Sequence, residues 1–237
     1  MPITVFARAN HLDLEMKIVV GKADGWQTPI LSSSLEAIVF RPYWSVPPKI
    51  QREELVPAIA KDHEYLAAHD LEIVDEQGDV VPGRFSAGKL AHLRSGTLRL
   101  RQKPGPGNSL GLVKFVFPNS YHVYMHDTSV RSVFWRSRRD LSHGCIRVEK
   151  AEDLAEWLLS NERGWPRDRI VEAMQGSESI DVKLHQHIQL VTVYVTAVVL
   201  ENDQVHFFED IYGQDGTPDE ELTETSVHSS PRKARVQ

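Results

Sequence analysis

The chain has 237 residues, with 27 Lys and Arg against 33 Asp and Glu, and a single cysteine. Its formal charge of -6 at pH 7 argues against recognition of nucleic acid or an anionic membrane through overall charge. A hydrophobic share of 41% and a charged share of 25% are typical of a globular protein with one large or two small domains. One cysteine excludes an intrachain disulfide and a multi-cysteine metal site, and it leaves a packing residue, an intermolecular bridge or a reactive thiol.

No segment for export or membrane insertion is visible. The first six residues lack a basic region followed by an unbroken apolar stretch, so we expect a cytoplasmic protein or a part of a longer exported one. The longest apolar run, 188–200, is interrupted by polar residues and is shorter than the about 20 residues that a spanning helix needs. We therefore expect no membrane span in this chain.

Patterns typical of β-structure dominate the beginning of the chain. Apolar residues alternate from Leu14 to Val20 and are followed by a glycine-flanked turn at 21–25, which predicts a half-buried strand and a loop. Residues 37–40 predict another strand. Three prolines within 41–48 remove backbone donors, so a sheet must stop or have its edge there.

Residues 49–109 differ in character from their surroundings. Helix-forming residues between 50 and 70 predict one or two short helices, with a break at Pro57. A hairpin is predicted over 71–81, and the Pro- and Gly-rich stretch 99–108 predicts a long exposed loop. We interpret this segment as an insertion between two β-rich parts.

The following part alternates strands and helices. Residues 111–117 and 121–125 predict two strands joined by a turn at 118–120. Apolar residues at helical spacing over 151–158 predict an amphipathic helix. A second short helix is expected after Pro166.

The end of the chain predicts a strand pair and a polar tail. Residues 188–200 and 204–208 are the predicted strands, with a turn at 201–203. From Gln214 onward apolar anchors are almost absent, which predicts disorder. No glycine-rich phosphate loop is found, which disfavours nucleotide-dependent functions.

The chemistry-bearing residues concentrate around Cys145. A thiol reacts as the thiolate, which requires a base or positive charges nearby. His126 and His143 are candidate bases, and the amides of Gly144 and Cys145 are candidate oxyanion donors. The arginines expected to supply positive charge are Arg131, Arg136, Arg138, Arg139 and Arg147. Inert packing of the cysteine and a solvated charged loop at 136–139 are the plainer alternatives.

A specific motif favours the reactive thiol. The string Ser142-His-Gly-Cys-Ile-Arg147, with fifteen residues between His126 and Ser142, resembles the signature of the L,D-transpeptidases with a YkuD-type catalytic domain. Further segments resemble the larger Gram-negative branch of that family, which carries an inserted cap subdomain: 19–22, 28–29, 40–48, 104–111 and 210–213. The resemblance covers roughly residues 14 to 213.

The element pattern and the resemblance together predict an α+β fold that is mainly β. The expected catalytic core is a mixed or antiparallel, β-sandwich-like structure formed by 1–48 and 110–213, with one or two helices after the active-site motif. Residues 49–109 would form a cap of helices and a hairpin. Residues 214–237 would be a disordered tail.

The resemblance implies a periplasmic cell-wall enzyme that needs no cofactor and no metal. Such an enzyme attacks the amide before the terminal D-alanine of a peptidoglycan tetrapeptide stem and forms a cysteine thioester. An amine of a neighbouring stem then resolves the thioester into a 3→3 cross-link, and carbapenems acylate the same cysteine. Because no leader is visible, the chain is expected to be part of a longer gene product.

The resemblance also assigns roles to individual residues. Cys145 would be the nucleophile and His126 the base, while His143, Gly144 and Cys145 would line the oxyanion site. Asp127 would orient the ring of His126 through its main chain or its side chain. The residues expected to contact the substrate are Tyr124, Asp127, Ser142 and Arg147.

Three alternatives stay open at this point. A cysteine hydrolase would use the same residues, with water in place of the acceptor amine. A zinc-stabilised binding module would use His122, His126, His143 and Cys145, although their spacing is unlike that of zinc fingers. A homologue that binds wall peptide without turnover is the third alternative.

Overall fold

Strands outnumber helices along the chain. The computed structural model describes residues 4–9, 12–199 and 204–216. Within these ranges the strands are β1 (Thr4–Ala9), β2 (Leu12–Gly21), β3 (Leu31–Phe40), β4 (Trp44–Ser45), β5 (Leu71–Val74), β6 (Arg99–Gln102), β7 (Val113–Val116), β8 (Met125–His126), β9 (Asp140–Ser142), β10 (Ile146–Val148), β11 (Ile180–Thr192), β12 (Ala197–Val199) and β13 (Val205–Phe207). The helices are α1 (Pro48–Ile50), α2 (Val56–Lys61), α3 (Tyr65–Ala68), α4 (Ala87–Ser95), α5 (Ala151–Leu159) and α6 (Arg167–Gln175), with a π-helical turn at Gln51–Leu55 and a 3-10 turn at Arg131–Trp135. The predicted α+β class, mainly β, is confirmed.

Most strands belong to one mixed sheet. Its strand order is β1-β2-β10-β8-β7-β3-β11, and β9 also pairs with β2. The pairs β8–β10 and β2–β9 are parallel, whereas the other pairs are antiparallel. The two short strands β8 and β10 therefore lie between longer strands, with His126 directly opposite Arg147.

The strand predicted over 14–20 is confirmed as part of β2. Met16, Ile18 and Val20 are buried, as the alternation predicts. Val19 is also fully buried, because it packs against Val133 and Phe134 of the 3-10 turn. The strand is thus covered on both faces at this position.

Both helices predicted after the cysteine are confirmed. The side chains of α5 at helical spacing that face the interior are Ala151, Leu154, Ala155 and Leu158. Helix α6 begins after Pro166 and ends before Gly176, as the sequence predicts. Trp165, just before α6, stacks on Phe40 of β3 with 5.3 Å between the ring centroids.

A second, three-stranded sheet lies within the segment predicted as an insertion. Its order is β4-β6-β5, and both pairs are antiparallel. Together with α1 to α4 it encloses a cluster of buried side chains: Val46, Ile50, Val56, Ile59, Leu71, Ile73, Leu93 and Leu100. We call the unit from β4 to β6 the cap. The boundaries at 49 and 109 stay a prediction, and β4 lies before the first of them.

The long exposed loop predicted over 99–108 is wrong in its first part. Residues 99–102 form β6, the central strand of the cap sheet, with Leu100 and Gln102 buried. The prolines and glycines that indicate a loop begin at Pro104, and the alternation of Arg99, Leu100 and Arg101 is a strand pattern.

Two other predicted strands are shorter than expected. Residues 121–124 lie in a loop, because the side-chain amide of Asn119 donates to the carbonyls of Phe117 (2.9 Å) and Val123 (2.7 Å), and only β8 continues as strand. The run 188–200 is divided between β11, which pairs with β3, and β12, which pairs with β13. The predicted turn at 201–203 and the tail residues 217–237 lie outside the described residues.

The described residues from Tyr194 onward form a separate unit. Within it, the hydroxyl of Tyr194 donates to the Asp210 carboxylate at 2.6 Å, and the rings of Tyr194 and Tyr212 stack with centroids 5.0 Å apart. Across the described ranges of the whole chain, no helix is long and apolar enough to cross a bilayer.

Gln51 joins the helical part of the cap to its sheet. Its side chain is buried, and its amide nitrogen donates to the carbonyls of Leu93 (2.8 Å) and Leu98 (2.9 Å). Its amide oxygen accepts from the backbone N–H of Leu100 at 2.8 Å. One side chain thus makes hydrogen bonds to three backbone groups of the cap.

Gln51→Met is expected to lower the free energy of unfolding by about 2–4 kcal/mol, because it keeps the side-chain volume but leaves these buried backbone groups without partners. Urea denaturation would measure the change. Gln77→Met, at an exposed position of the cap, is the matched control. Equal stability of the two variants would contradict the proposed anchoring role of Gln51.

Candidate active site

A pocket of about 460 Å³ lies between the cap and the main sheet. Five of the residues predicted for the site line it: Tyr124, His126, His143, Cys145 and Arg147. The cap contributes several aromatic and apolar side chains together with Glu54. The structure therefore brings the predicted nucleophile and the predicted base to one cavity.

The loop that carries Cys145 is fixed from both sides. Ser142 is buried; its hydroxyl donates to the Cys145 carbonyl at 2.6 Å and accepts from the Gly144 amide at 3.1 Å. Gly144 has a φ of 103°, which an L side chain rarely adopts. The Thr28 hydroxyl donates to the Gly144 carbonyl at 2.9 Å and accepts from the Gly21 amide at 2.9 Å. Ser142 thus shapes the loop from within the protein.

These bonds narrow the choice of oxyanion donors. The amide of Gly144 is directed to Ser142, so it is engaged within the loop. The amide of Cys145 is the remaining candidate among the two named from the sequence. An oxyanion donor must point at the position where charge develops.

His126 is held as one tautomer. Its Nδ1–H donates to the backbone carbonyl of Asp127 at 2.5 Å, and a carbonyl can only accept. Nε2 is therefore the basic nitrogen. Burial, reinforced by the positive charges of Arg147 and Lys114, lowers the pKa of His126 to about 3, so its ring is neutral at physiological pH.

The side chain of Asp127 stabilises the surrounding backbone and does not line the pocket. Its carboxylate accepts from the Leu112 amide and from Arg131, each at 3.0 Å. Gly111 lies against it with a φ of 66°, and a Cβ there would come within 2.4 Å of the carboxylate. Of the two ways predicted for Asp127 to orient His126, the structure has the main-chain one.

Tyr124 is the immediate polar neighbour of the thiol. Its amide and its hydroxyl both donate to Cys145, while the indole N–H of Trp44 donates to that hydroxyl. Burial and the adjacent sulfur raise the pKa of Tyr124, so its hydroxyl keeps its proton and stays a donor.

The balance of charges at the thiol differs from the sequence-based expectation. Burial raises the pKa of Cys145, and the opposing effects of Tyr124, Lys114 and Arg147 only partly offset it. Of the five arginines expected to act on the thiol, Arg147 is the one that lines the pocket. The second cation is Lys114, from the middle of β7, which the sequence analysis missed.

Three of the other arginines are engaged elsewhere, and Arg136 is exposed. Arg131 pairs with Asp127 and also donates to the Glu149 carbonyl, and Arg138 pairs with Asp140 at 2.8 Å. Arg139 is buried and donates to the Ile18 carbonyl at 3.0 Å and to the Arg136 carbonyl at 2.8 Å. For Arg139, the alternative of a solvated loop residue is wrong.

His143 connects the motif to the cap. Its Nε2 lies 2.7 Å from the Glu54 carboxylate in the π-helical turn. Its ring meets that of Trp26 edge-on at 4.6 Å, and the Lys49 ammonium lies 4.0 Å from the Trp26 ring centroid. Glu54 is therefore a further pocket residue that the sequence analysis missed.

The histidines and the cysteine do not form a metal site. His122, His126, His143 and Cys145 all line the pocket. However, no group of three or more His, Cys, Asp or Glu side chains in the described part of the chain is placed to hold a metal ion. The geometry thus gives no support to the zinc-stabilised alternative.

Comparison with known proteins supports the family resemblance that the motif around Cys145 indicates. Residues 3–199 match the model of the YkuD family, the L,D-transpeptidase catalytic domain. A Haemophilus influenzae protein named "Putative L,D-transpeptidase" is 34% identical over 211 residues, which are 89% of this chain and 42% of that protein. The chain thus spans less than half the length of this curated relative. A cysteine and a histidine in one pocket, within a chain that matches the family over most of its length, lead to one conclusion: the chain belongs to the YkuD family of L,D-transpeptidase catalytic domains.

Proposed function

We propose that this protein is a peptidoglycan L,D-transpeptidase that forms 3→3 cross-links in the periplasm through a Cys145 thioester. The observation that carries the proposal is the shared pocket of Cys145 and His126, with Nδ1 of His126 held by the Asp127 carbonyl. This leaves Nε2 to exchange protons. Family membership supports the reaction class.

In the first half-reaction, Sγ of Cys145 attacks the carbonyl carbon of the amide before the terminal D-alanine. The S–C bond forms as the thiol proton passes to Nε2 of His126. The C–N bond then breaks, and the imidazolium returns the proton to the departing amine. Burial and the nearby cations lower the pKa of His126, so the imidazolium gives its proton readily to the departing amine, whereas the neutral ring is a weak base for the thiol.

In the second half-reaction, an amine of a neighbouring stem attacks the thioester carbonyl. The new N–C bond forms while His126 takes the amine proton. The C–S bond breaks, and the proton returns to the sulfur, so the enzyme ends in its starting state. During both steps the oxyanion requires a donor, for which the Cys145 amide is the candidate.

Arg147 is proposed to bind a carboxylate of the stem peptide. It lines the pocket, and its buried Nε has no hydrogen-bond partner among the described residues. A buried guanidinium N–H without a partner is costly, and a substrate carboxylate would supply one. Tyr124 is the proposed neighbour of the scissile amide, since it already contacts the sulfur.

Cys145→Ala is expected to abolish the mass increase that wild-type protein shows after incubation with a carbapenem, because a thioester requires the sulfur. Intact-protein mass spectrometry measures the adduct. His185→Gln, at an exposed position of β11, is a control that should keep it. An adduct that persists on Cys145→Ala would refute the assignment of the nucleophile.

The low pKa of His126 predicts an unusual pH profile. The neutral base is lost only as the pH falls towards 3, so kcat/KM for D-alanine release should show no inflection near 6.5, the ordinary histidine value. Proton NMR of the histidine ring signals, assigned by comparison with His126→Gln, should show this ring unprotonated at pH 5. A titration of His126 near 6.5 would overturn the argument.

Product analysis separates transfer from hydrolysis. With a disaccharide tetrapeptide as substrate, we expect D-alanine release to be accompanied by a cross-linked dimer, detected by liquid chromatography and mass spectrometry. Cys145→Ala should give neither product. If D-alanine and tripeptide form without dimer, the protein is a cysteine carboxypeptidase that uses the same residues, and the transpeptidase proposal is wrong.

A further inference from the structure

One row of paired residues crosses the main sheet and carries most of the charge near the site. Val39 of β3 is opposite Asp181 on one side and opposite Lys114 on the other. Lys114 is opposite His126, and His126 is opposite Arg147. Residues directly opposite each other face the same side of a sheet. Two cations therefore flank the base, one on each neighbouring strand.

Lys114 also reaches the nucleophile through Tyr124. Its side chain is half-buried, and Nζ lies 4.0 Å from the centroid of the Tyr124 ring. An ammonium group at this distance from an aromatic ring is attracted to it. Because Tyr124 donates both its amide and its hydroxyl to Cys145, the lysine is one side chain away from the sulfur.

The reaction needs a cation at this position for a physical reason. His126 is neutral at rest, so an imidazolium stabilises the sulfur anion only once the ring has taken the thiol proton. Arg147 and Lys114 are the two cations that act on Cys145. When Arg147 binds a substrate carboxylate, as proposed above, most of its charge is compensated. Lys114 is then the uncompensated cation beside the sulfur.

We propose that Lys114 is a positioning residue of the reaction, whose ammonium, held on the ring of Tyr124, stabilises the anionic sulfur of Cys145 while Arg147 is occupied by substrate. This inference rests on the proposed role of Cys145 as nucleophile. Lys114 is not among the residues that line the pocket, and it acts on Cys145 through its charge.

The charged state of Lys114 depends on burial and on two acidic groups, Cys145 and Asp181. Burial lowers the pKa of Lys114, whereas the negative charges of Cys145 and Asp181 raise it. Of the other titratable groups around the sulfur, Tyr124, His126 and Arg147 lie on the sheet side. His143, from the loop after β9, pairs with Glu54 of the cap, and both line the pocket. Asp181 thus favours the protonated lysine from the far side of β3.

The single cysteine makes a direct test possible, because every alkylation event reports on Cys145. The rate of iodoacetamide alkylation would be measured from pH 6 to 10 in the full chain. Lys114→Met should shift the inflection to higher pH and slow alkylation at pH 7.5 about threefold to tenfold, because the thiolate loses a nearby cation. Lys114→Arg should restore the rate to within about twofold of wild type.

Lys183→Met, an exposed lysine on β11, is the matched control and should coincide with wild type. Lys114→Gln replaces Lys114→Met if circular dichroism shows that the latter is unfolded. Profiles of the Met or Gln variant that coincide with wild type would overturn the role of Lys114. A wild-type protein that neither releases D-alanine nor takes up a carbapenem would overturn the proposed function instead, while the alkylation profiles would still decide the effect of Lys114.

Discussion

The site depends on the pairing of the short strand β8 with β7 on one side and β10 on the other. This pairing sets His126 opposite both Lys114 and Arg147. A shift of register by one residue would turn every side chain of the strand to the other face of the sheet. The hydrogen bonds of a two-residue strand therefore decide where His126 and both cations lie, and also where Cys145 lies, because it directly precedes β10.

Burial outweighs charge at the centre of the pocket. Two cations favour the Cys145 thiolate, yet desolvation leaves the pKa of the thiol raised. The same two cations and burial act in one direction on His126 and lower its pKa. Without substrate, the thiol of Cys145 and the imidazole of His126 are thus both uncharged. Transfer of a proton from the thiol to the imidazole would then occur only after a substrate has entered. A pocket of this kind differs from an ion pair of thiolate and imidazolium.

The sequence was sufficient for the residues that the motif contains. Cys145 and His126 were predicted because a specific string and its spacing identify them, and strands and helices with regular periodicity were predicted for the same local reason. Lys114 and Glu54 were missed because sheet register and cap packing bring them to the pocket from distant parts of the chain. Arg139 was misjudged because closeness in sequence does not determine the direction of a side chain, and its guanidinium turns to a buried carbonyl.

The π-helical turn of the cap has a mechanical consequence. Gln51 begins this turn and is fixed by three hydrogen bonds inside the cap, and Glu54, on the same turn, contacts His143. The interior of the cap and the loop that carries Cys145 are therefore linked by a connection less than one turn long. Substitutions in the interior of the cap would therefore change the position of Glu54 and His143 in the wall of the pocket. A molecule designed to bind in this cavity would contact Glu54 and His143, and the positions of these side chains depend on the packing inside the cap.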